Sequence, residues 1–236
     1  MKLKIMTFNT EHCKNFKTGI IDYEEIISLI NKYKPDIIGL NEIYGKGFDK
    51  NLKTGQADYI ANKLGYYTYF GKATSLSFKP YGNAILSKYP IIDIKTIKIP
   101  YPFIKKGKKY YERRSIIKAT IQINKQKIMV FTTHLGLNED EQLNGINTII
   151  KSLTDEKYII MGDFNIHYDN KLLLPLEEIT INADTKLKKM VATWPSNNPK
   201  YKYDYIFTSK NIKIRSAHII NEIISDHLPY LGEIEI

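Results

Sequence analysis

Two short polar segments stand out because each directly follows an apolar stretch. Gly162-Asp163-Phe164-Asn165 comes after Tyr158-Ile159-Ile160-Met161, and Ser225-Asp226-His227 comes after Ile223-Ile224. An apolar run that ends at a glycine predicts a buried strand with an abrupt end. Such an end can hold carboxylate, amide and imidazole groups on a rigid scaffold, where they bind a ligand or act on it. The alternative is that both segments are tight turns, in which the side chains of Asp and Asn form hydrogen bonds with the nearby backbone.

Similar polar residues follow other predicted strands, and their side chains offer oxygen or imidazole donors. Carboxylates and amides without cysteine suit a hard divalent cation such as Mg²⁺ or Mn²⁺. Such a cation neutralises the charge of a phosphate and lowers the pKa of bound water. Near neutral pH, histidine can serve as an acid, as a base or as a hydrogen-bond donor to a phosphate. A single strand end of this kind is more often a turn former than a ligand. The full set is Asn9, Glu42, His134, Asp163, Asn165, Asp204, Asp226 and His227.

The elements that must position these residues are many short strands and a few helices. Asp22 with Glu25 three residues later is a capping pattern for a first helix. A later helix from about Asp140 to Leu153 places Leu143 on its apolar face. Long stretches of strands alone do not fit strict alternation of strands and helices. The pattern predicts one domain, residues 1–236, with two packed β-sheets and helices outside them.

The charge of the chain points to a polyanionic partner. Its 236 residues include 35 Lys and Arg against 25 Asp and Glu, a formal net charge of +10. Nucleic acid, an anionic lipid surface and a phosphorylated small molecule all fit such a charge. A codon bias toward lysine in the genome would give the same composition without any of these partners.

Cysteine usage and hydropathy bear on the compartment. The single cysteine, Cys13, permits neither an intrachain disulfide nor a cysteine-based zinc cluster. The first residues turn polar too early for a signal peptide, and no run approaches the ~20 apolar residues of a membrane span. We therefore expect a cytoplasmic protein without a membrane span, unless a signal sequence has been removed.

Motifs of several other reaction classes do not occur in the sequence. It has no Gly-x-x-x-x-Gly-Lys phosphate loop, no Gly-x-Ser-x-Gly nucleophile elbow and no His-Glu-x-x-His zinc helix. The glycine-rich stretch Tyr44-Gly45-Lys46-Gly47-Phe48 lacks the spacing of a phosphate loop and is expected to be an ordinary loop.

An ordered series of short motifs spans nearly the whole chain. In order these are Thr7-Phe8-Asn9, Leu40-Asn41-Glu42, Tyr81-Gly82-Asn83-Ala84-Ile85-Leu86-Ser87, Thr133-His134-Leu135, Gly162-Asp163-Phe164-Asn165, Tyr203-Asp204-Tyr205-Ile206 and Ser225-Asp226-His227-Leu228-Pro229. As a set they resemble the endonuclease/exonuclease/phosphatase superfamily, and above all its compact bacterial metal-dependent hydrolases. The superfamily includes pancreatic-type deoxyribonucleases, AP endonucleases, bacterial sphingomyelinases and inositol polyphosphate 5-phosphatases. The resemblance implies an α/β fold, a four-layered α/β/β/α sandwich of two packed mixed β-sheets flanked by helices.

The resemblance also implies a Mg²⁺ or Mn²⁺ cofactor and the residues that bind it. Glu42 would be the principal metal ligand, with Asn9 and Asp226 beside it. The family commonly has a glutamine before this glutamate. This chain has Asn41 at that position, and its side chain is one methylene shorter. The hydrogen bonds that orient the metal-binding Glu42 are therefore expected to differ from those of the family.

Catalytic roles follow from the same resemblance. Asp163 would orient or deprotonate the attacking water, and Asn165 would steady the phosphate. His227, oriented by Asp204, and His134 would contact the phosphate and stabilise the transition state. Phosphoryl chemistry needs donor groups around the equatorial oxygens and a water positioned in line, and this set of side chains supplies both.

The residues implied to bind substrate are Tyr81, Asn83 and Arg114. The adjacent Arg113 leaves the register of the arginine open. In the family an arginine usually lies two positions before the Asp-Tyr-Ile strand. Lys202 occupies that position here, and a lysine is expected to contact phosphate more weakly because it lacks the bidentate geometry of arginine.

Two basic segments interleaved with aromatic residues, 105–114 and 200–203, bear on the substrate. If they flank the site, their lysines would hold phosphates and their tyrosines could stack on bases. The alternative is a solvated hairpin turn with a charged edge. His12, His167 and His218 lie outside the matched motifs, and we assign each of them to structure or solvent.

We expect a Mg²⁺- or Mn²⁺-dependent monomer that hydrolyses phosphodiester bonds, with nucleic acid as its phosphate-ester substrate. The alternative is a phosphatase or phosphodiesterase for a small phosphorylated metabolite or a lipid headgroup. The Pro-x-Trp-Cys-Asp-Arg signature of inositol 5-phosphatases is absent, and so is the tryptophan-rich segment of AP endonucleases. Secretion, which is usual for sphingomyelinases, is not indicated. A nucleic-acid-binding relic without activity would not need the intact set of motifs.

Overall fold

The computed structural model describes residues 1–154, 156–189 and 191–236. This part of the chain forms strands joined by loops and a few helices, with short 3₁₀ turns at Glu11–Cys13, Lys171–Leu173 and Ala183–Lys186. The strands and helices in order are β1 (Lys2–Asn9), α1 (Tyr23–Tyr33), β2 (Ile37–Tyr44), α2 (Gln56–Leu64), β3 (Tyr67–Leu76), β4 (Lys79–Ser87), β5 (Ile91–Lys98), β6 (Ser115–Ile123), β7 (Gln126–His134), α3 (Glu139–Ser152), β8 (Tyr158–Asp163), α4 (Leu174–Glu177), β9 (Thr180–Asn182), β10 (Asp204–Ser209), β11 (Lys213–Ile219) and β12 (Tyr230–Glu235).

Two six-stranded mixed sheets share one layout. The strand order is β11-β12-β1-β2-β4-β3 in the first sheet and β5-β6-β7-β8-β10-β9 in the second. Each sheet has one parallel pair at its centre, β1 with β2 and β7 with β8, among antiparallel neighbours. A helix connects each parallel pair, α1 in the first sheet and α3 in the second, because parallel strands require a crossover. Within each sheet the two parallel strands therefore end at the same edge.

Alternate residues of the central strands pack into different layers. Ile5 on β1 and Met161 on β8 belong to the core between the two sheets. Met6 packs with residues of α1 and α2, and Ile160 packs with residues of α3. Successive side chains of a strand point to opposite faces, so each sheet is apolar on both sides. The order helix, sheet, sheet, helix confirms the predicted four-layered sandwich.

The first helix begins as its sequence predicts, and the third differs in which face is buried. The Asp22 carboxylate accepts a hydrogen bond from the backbone N–H of Glu25 at 3.1 Å. In α3, Ile146 and Ile149 are buried while Leu143 is 44% exposed. The prediction for Leu143 was wrong because Ile146 belongs to two overlapping apolar stripes. Packing on the sheet selects the stripe that contains Ile149.

The segment between β8 and β10 contains short elements that the sequence pattern does not indicate, namely α4, β9 and two of the 3₁₀ turns. Elements this short lack a full period of apolar residues, so periodicity gives little signal for them. Within the described ranges, no helix has both the length and the apolar character that crossing a membrane would need.

Candidate active site

Strand ends from both sheets meet in one polar cluster. β1 ends at Asn9, β7 at His134 and β8 at Asp163. β10 begins at Asp204, which lies opposite Asp163 in the antiparallel ladder between the two strands. The packing of β1 against β8 brings the two sheet edges together. The cluster therefore contains residues that are up to 154 positions apart in contact with one another.

Glu42 enters the cluster from a bulge in β2. The pairing of β2 with β4 shifts register between Leu40 and Ile43, and Glu42 has a φ of 58°. A bulge re-aims a side chain away from the regular alternation of a strand. The Oε1 atom of Glu42 accepts a hydrogen bond from Asn9 Nδ2 at 3.2 Å, and 22% of the side chain remains exposed. The carboxylate is thus held in place with part of its surface open.

Asn9 joins the two carboxylates at the centre of the cluster. Its Nδ2 atom also donates to Asp163 Oδ2 at 3.0 Å, and its Oδ1 atom accepts from the backbone N–H of Glu11 at 3.2 Å. The side chain is almost fully buried. These three contacts fix the orientation of the amide, and its oxygen keeps a second lone pair.

A histidine lies between two buried aspartates. His227 Nδ1 is 2.8 Å from Asp204 Oδ2, and His227 Nε2 is 3.5 Å from Asp163 Oδ2. All three residues are buried. The backbone N–H of Asn165 donates to Asp163 Oδ1 at 2.9 Å, which orients the second oxygen of that carboxylate. The array Asp163–His227–Asp204 is therefore held by both strands β8 and β10.

Burial and charge act in opposite directions on this array. Burial alone would lower the pKa of His227, but the carboxylates of Asp204 and Asp163 outweigh burial and raise that pKa to about 10. Burial raises the pKa of Asp163 above its ordinary 3.8, and the positive charge of His227 opposes that rise. The imidazole is therefore a charged donor at neutral pH, and Asp163 is a stronger base than an exposed aspartate.

His134 is a neutral counterpart of His227 and approaches the same oxygen of Asp163. Its Nδ1 atom is 2.9 Å from the guanidinium of Arg114, and its Nε2 atom is 3.0 Å from Asn165 Nδ2 and 3.5 Å from Asp163 Oδ2. Burial and the positive charge of Arg114 hold the pKa of His134 well below its ordinary 6.5. Glu112 pairs with Arg114 at 3.0 Å and balances its charge. The sequence motifs gave no signal for Glu112.

Two of the residues implied to bind substrate are buried inside the protein. Asn83 Oδ1 accepts from Asn41 Nδ2 at 2.8 Å, and Asn83 Nδ2 donates to the carbonyl of Ser115 at 3.2 Å. Tyr81 is 4% exposed and packs against the ring of Tyr44. Both ends of the Asn83 amide are thus occupied by protein groups.

Asn41 ties the two sheets together at the cluster. Its Nδ2 atom also donates to the carbonyl of Thr133 at 2.8 Å, and its Oδ1 atom accepts from the backbone N–H of Asp163 at 3.0 Å. The shorter asparagine therefore finds a full set of partners at the position where the family commonly has glutamine. It positions Asp163 through the backbone rather than through the carboxylate.

His12 contacts Glu42, which the sequence analysis missed. Its Nε2 atom is 3.7 Å from Glu42 Oε2, and its ring packs against Tyr44 and Tyr81. The contact depends on a rare backbone: Glu11, His12 and Cys13 have φ values of 44°, 63° and 61°. Three left-handed residues in succession have no common sequence signature, since none of them is glycine. His12 therefore packs on two aromatic rings, as a structural residue does, and also lies beside the carboxylate of Glu42.

Asp226 is held by hydrogen bonds from Trp194 and Ser225. Its Oδ2 atom accepts from the indole N–H of Trp194 at 3.1 Å, and the hydroxyl of Ser225 is 3.2 Å from its Oδ1 atom. It is half-buried. Among the residues that the structure describes, its hydrogen-bond partners do not include Asn9 or Glu42.

Lys202 does not reach the cluster surface. It is fully buried, its Nζ atom is 3.2 Å from Asp184 Oδ1, and it hydrogen-bonds the carbonyl of Asp204. The rings of Tyr205 and Tyr230 lie on it at 4.0 and 4.3 Å from Nζ to the ring centroids. The expectation of a weak phosphate contact from Lys202 was wrong, because the side chain points into the protein.

The other basic segment and two tyrosines border a cavity beside the cluster. The cavity has a volume of about 680 Å³, and its walls include Asn165, lysines 106, 108 and 109, and the rings of Tyr201 and Tyr203. His167 also lies in its wall, where Nδ1 accepts from the backbone N–H of Lys202 at 3.3 Å. His218 is exposed on β11, as expected for a solvent-facing residue.

Two groups of side chains could bind a divalent cation. Asp163, Asp204 and His227 bring donor atoms within 4.8 Å of one another. In that group, however, both imidazole nitrogens face carboxylates, and burial leaves little room for the several waters that Mg²⁺ retains. The Glu42 carboxylate is partly open and lies beside the buried amide of Asn9, and carboxylate and amide oxygens are ligands that Mg²⁺ and Mn²⁺ accept. The donor set therefore fits a hard cation better at Glu42.

Comparisons with known proteins agree with this fold. The chain matches the sequence profile of the Endonuclease/Exonuclease/phosphatase family over residues 6–227. A comparison with curated protein sequences gave no match.

Solved structures with the same fold include an endonuclease/exonuclease/phosphatase from Beutenbergia cavernae, with 18% identity and a TM-score of 0.82 over 100% of this chain and 72% of that one. The mannosyl-6-phosphatase Bt3783 of Bacteroides thetaiotaomicron has 14% identity and a TM-score of 0.79, over 99% of this chain and 100% of that one. D. rerio TDP2 in complex with a single-strand DNA product has 16% identity and a TM-score of 0.75, over 100% and 99%. Because the profile match covers nearly its whole length, the chain belongs to the endonuclease/exonuclease/phosphatase family.

Proposed function

We propose that this protein is a Mg²⁺- or Mn²⁺-dependent phosphoesterase that hydrolyses phosphodiester bonds in nucleic acid. The observation that supports it most is the buried array Asp163–His227–Asp204 beside the partly open carboxylate of Glu42. It combines a base, a charged donor and a cation-binding carboxylate at one place, which are the groups that hydrolysis of a phosphate ester requires.

We assign the metal to Glu42 and Asn9, with Asp226 as the third ligand from the sequence motif. When bound, the cation supplies charge neutralisation at the phosphate and lowers the pKa of bound water. Asn9 fixes the position of the Glu42 carboxylate relative to that of Asp163, because its Nδ2 atom donates a hydrogen bond to each of them. The bulge at Glu42 keeps that carboxylate turned toward Asn9.

Asp163 is the proposed group that orients the attacking water and takes its proton. Burial raises its pKa, which makes the carboxylate a better base than an exposed aspartate. Hydrogen bonds from Asn9 and from the backbone of Asn165 fix both of its oxygens. A positioned base of this kind contributes typically ~10²–10⁴-fold to a rate.

His227 is the proposed donor to the phosphate in the transition state. Asp204 fixes the ring through Nδ1 and stabilises its positive charge, so that Nε2 carries a proton. His134, neutral and oriented by Arg114, and the amide of Asn165 complete the donor set around the same carboxylate. We propose that Arg114 acts through His134, and that Asn83 and Tyr81 support the site from behind.

Nucleic acid is the proposed substrate because of charge. The net charge of +10 and the lysines beside Asn165 suit a polyanion that extends beyond one phosphate. A phosphatase or phosphodiesterase for a small phosphorylated metabolite is the second candidate, since a mannosyl-6-phosphatase shares the fold over its whole length. A lipid headgroup is a further variant of that candidate.

Activity assays separate these candidates. Purified protein is freed of metal and then incubated with single-stranded DNA, RNA, plasmid and a panel of phosphomonoesters, with Mg²⁺, Mn²⁺ or chelator. We expect cleavage of polynucleotides with either metal and none with chelator. Cleavage of monoesters without cleavage of any polynucleotide would overturn the substrate proposal, and undiminished activity in chelator would overturn the proposed metal.

A pair of glutamates provides a matched test of the metal ligand. Glu42→Gln removes the charge but keeps the shape, and we expect at least ~10²-fold lower activity at a fixed metal concentration. Glu233→Gln is the control, because Glu233 pairs with Lys4 on β1, five residues and about 17 Å from Asn9. Equal activity in both variants would refute the assignment of Glu42.

A further inference from the structure

The cavity beside the cluster has one aromatic wall and one basic wall. Tyr201 and Tyr203 form the aromatic wall, with ring centroids 5.5 Å apart and ring planes at 6°. The ring of Trp194 lies 5.9 Å from each of these rings and 6.4 Å from the ring of His227, so it connects the aromatic wall to the cluster. Tyr201 is 40% exposed, so its ring is available to a ligand.

The aromatic wall is fixed to the catalytic strand. Alternate residues of an extended segment point the same way, so Tyr201 and Tyr203 face the cavity while Lys202 points into the protein. The backbone carbonyl of Tyr203 accepts from the N–H of Phe164 at 2.8 Å, and Tyr203 directly precedes Asp204. A group stacked on these rings would therefore lie at a defined distance from the array Asp163–His227–Asp204.

The basic wall is a loop held by its backbone. The N–H of Lys106 donates to Asp140 Oδ2 at 3.1 Å, and the N–H of Lys109 donates to Asn138 Oδ1 at 2.9 Å. A Cβ atom at Gly107 would lie 2.1 Å from Asn138 Oδ1, so only glycine permits this close approach. These contacts position the loop through backbone N–H groups and not through the ammonium groups of lysines 106 and 109.

The charge of the basic wall is available to a ligand. Among the described residues, the ion pairs do not include lysines 106, 108 or 109. Lys105 differs, since its ammonium lies over the rings of Tyr101 and Tyr111 at 5.3 and 5.2 Å. The acidic residues in the wall are Glu139 and Asp140, and the Asp140 carboxylate already accepts from the hydroxyl of Tyr111. Three lysines against two acids leave a net positive wall.

We propose that this cavity binds an unpaired nucleotide next to the scissile phosphodiester, so that the protein acts on single-stranded nucleic acid. The inference rests on the proposed function and names its substrate class. The aromatic wall can stack on the bases of a nucleic-acid strand, and the basic wall can bind its phosphates. In a duplex both faces of each base are covered by neighbouring bases, so a base must leave the stack before a tyrosine can cover it. A volume of about 680 Å³ lies within the usual range for single ligands, roughly 300–1,000 Å³.

Binding without turnover tests the proposal. Fluorescence anisotropy in EDTA compares 12-nucleotide single-stranded DNA, the same sequence as RNA, and the 12-base-pair DNA duplex. We expect both single strands to bind at least ~10-fold more tightly than the duplex. We also expect Tyr201→Ala to weaken single-strand binding about 10-fold, within the range that stacking on one aromatic ring supplies, and Tyr201→Phe to restore it. Tyr67→Ala is the control, since Tyr67 is an exposed tyrosine on the edge strand β3.

The salt dependence tests the basic wall separately. Each phosphate contact on a single strand contributes about 0.7 to the slope of log affinity against log salt. Replacing lysines 106, 108 and 109 together by alanine should therefore reduce that slope by about 2. The control removes the same charge at Lys125, Lys127 and Lys210. Lys127 is exposed at the opposite end of β7, seven residues and about 23 Å from His134.

The outcomes separate this proposal from the function on which it rests. Equal affinity for single strands and duplex, or unchanged binding by Tyr201→Ala, would overturn the nucleotide site. An unchanged salt slope in the triple lysine variant would do the same. If bis(p-nitrophenyl) phosphate is still hydrolysed with Mn²⁺ and not with chelator, the phosphoesterase function stands although the site fails. If no phosphodiester is hydrolysed with either metal, the function fails whatever the binding data show.

Discussion

Replacing the buried Lys202 should cost the protein a large and measurable amount of stability. The side chain is fully buried between the rings of Tyr205 and Tyr230, and its ammonium is 3.2 Å from Asp184 Oδ1. Burial lowers its pKa, and the carboxylate of Asp184 opposes that shift. Lys202→Met keeps a chain of similar length but removes the charge. Asp184 then remains buried without its cation.

The magnitude follows from the loss of one partner of a buried ion pair, about 3–5 kcal/mol in the free energy of unfolding. In a chain of 150–250 residues, 1 kcal/mol shifts the melting temperature by about 2–4 °C. We therefore expect Lys202→Met to melt about 6–20 °C below the wild type. In this variant the hydroxyl of Tyr230 still donates a hydrogen bond of 2.7 Å to the carboxylate of Asp184. We therefore expect a loss of stability near the lower end of this range.

Thermal melts followed by circular dichroism measure this effect, and two further variants interpret it. Lys202→Met with Asp184→Asn removes both charges, and we expect it to recover at least half of the lost melting temperature because no uncompensated charge remains. Lys200→Met is the matched control, since Lys200 is exposed two residues away, and should stay within about 2 °C of the wild type. A melting temperature for Lys202→Met within 2 °C of the wild type would refute the structural role of the pair.

Three further predictions concern the site and its scaffold. Asp163→Ala and His227→Ala should each lose at least ~10²-fold in phosphodiesterase rate while remaining folded by circular dichroism, and full activity in either would refute the assigned roles. Gly162→Ala should be strongly destabilised, because Gly162 has a φ of 147° and an added Cβ would lie 1.9 Å from the carbonyl of Thr133. In Gly232→Ala the new Cβ would meet only Ile206 at 3.4 Å, so this control should melt near the wild type, and equal melting of the two would contradict the packing. Cys13 should not react with a thiol reagent at pH 8 in the native protein, since burial raises its pKa to about 12, and should react once per chain in denaturant. Rapid labelling of the native protein would show that Cys13 is not buried as described.

The strand ends of the site could be predicted from sequence because two local signals coincide there. Met161-Gly162-Asp163 carries both an apolar strand and the polar residues at its end, and the parallel layout then brings such ends to one edge. The bulge at Glu42 leaves no sequence signal of its own, yet Glu42 was found because the motif Leu40-Asn41-Glu42 is ordered with the others.

Other features of the site depend on tertiary contacts that periodicity does not encode. His12 reaches Glu42 through three left-handed residues without glycine. In Lys200-Tyr201-Lys202-Tyr203 the side chain of Lys202 points away from those of its tyrosine neighbours. It is buried against Asp184, which is distant in sequence and is not indicated by the local pattern. A basic residue among tyrosines is otherwise typical of an exposed, polyanion-binding segment.

The position of the metal tests the central claim most directly. Crystals grown or soaked with Mn²⁺ would locate the ion by its anomalous signal. We predict a peak that contacts the carboxylate of Glu42, with the ring of His227 still between Asp204 and Asp163. A peak among Asp163, Asp204 and His227, with none at Glu42, would contradict the assignment of those three residues to proton transfer and phosphate binding.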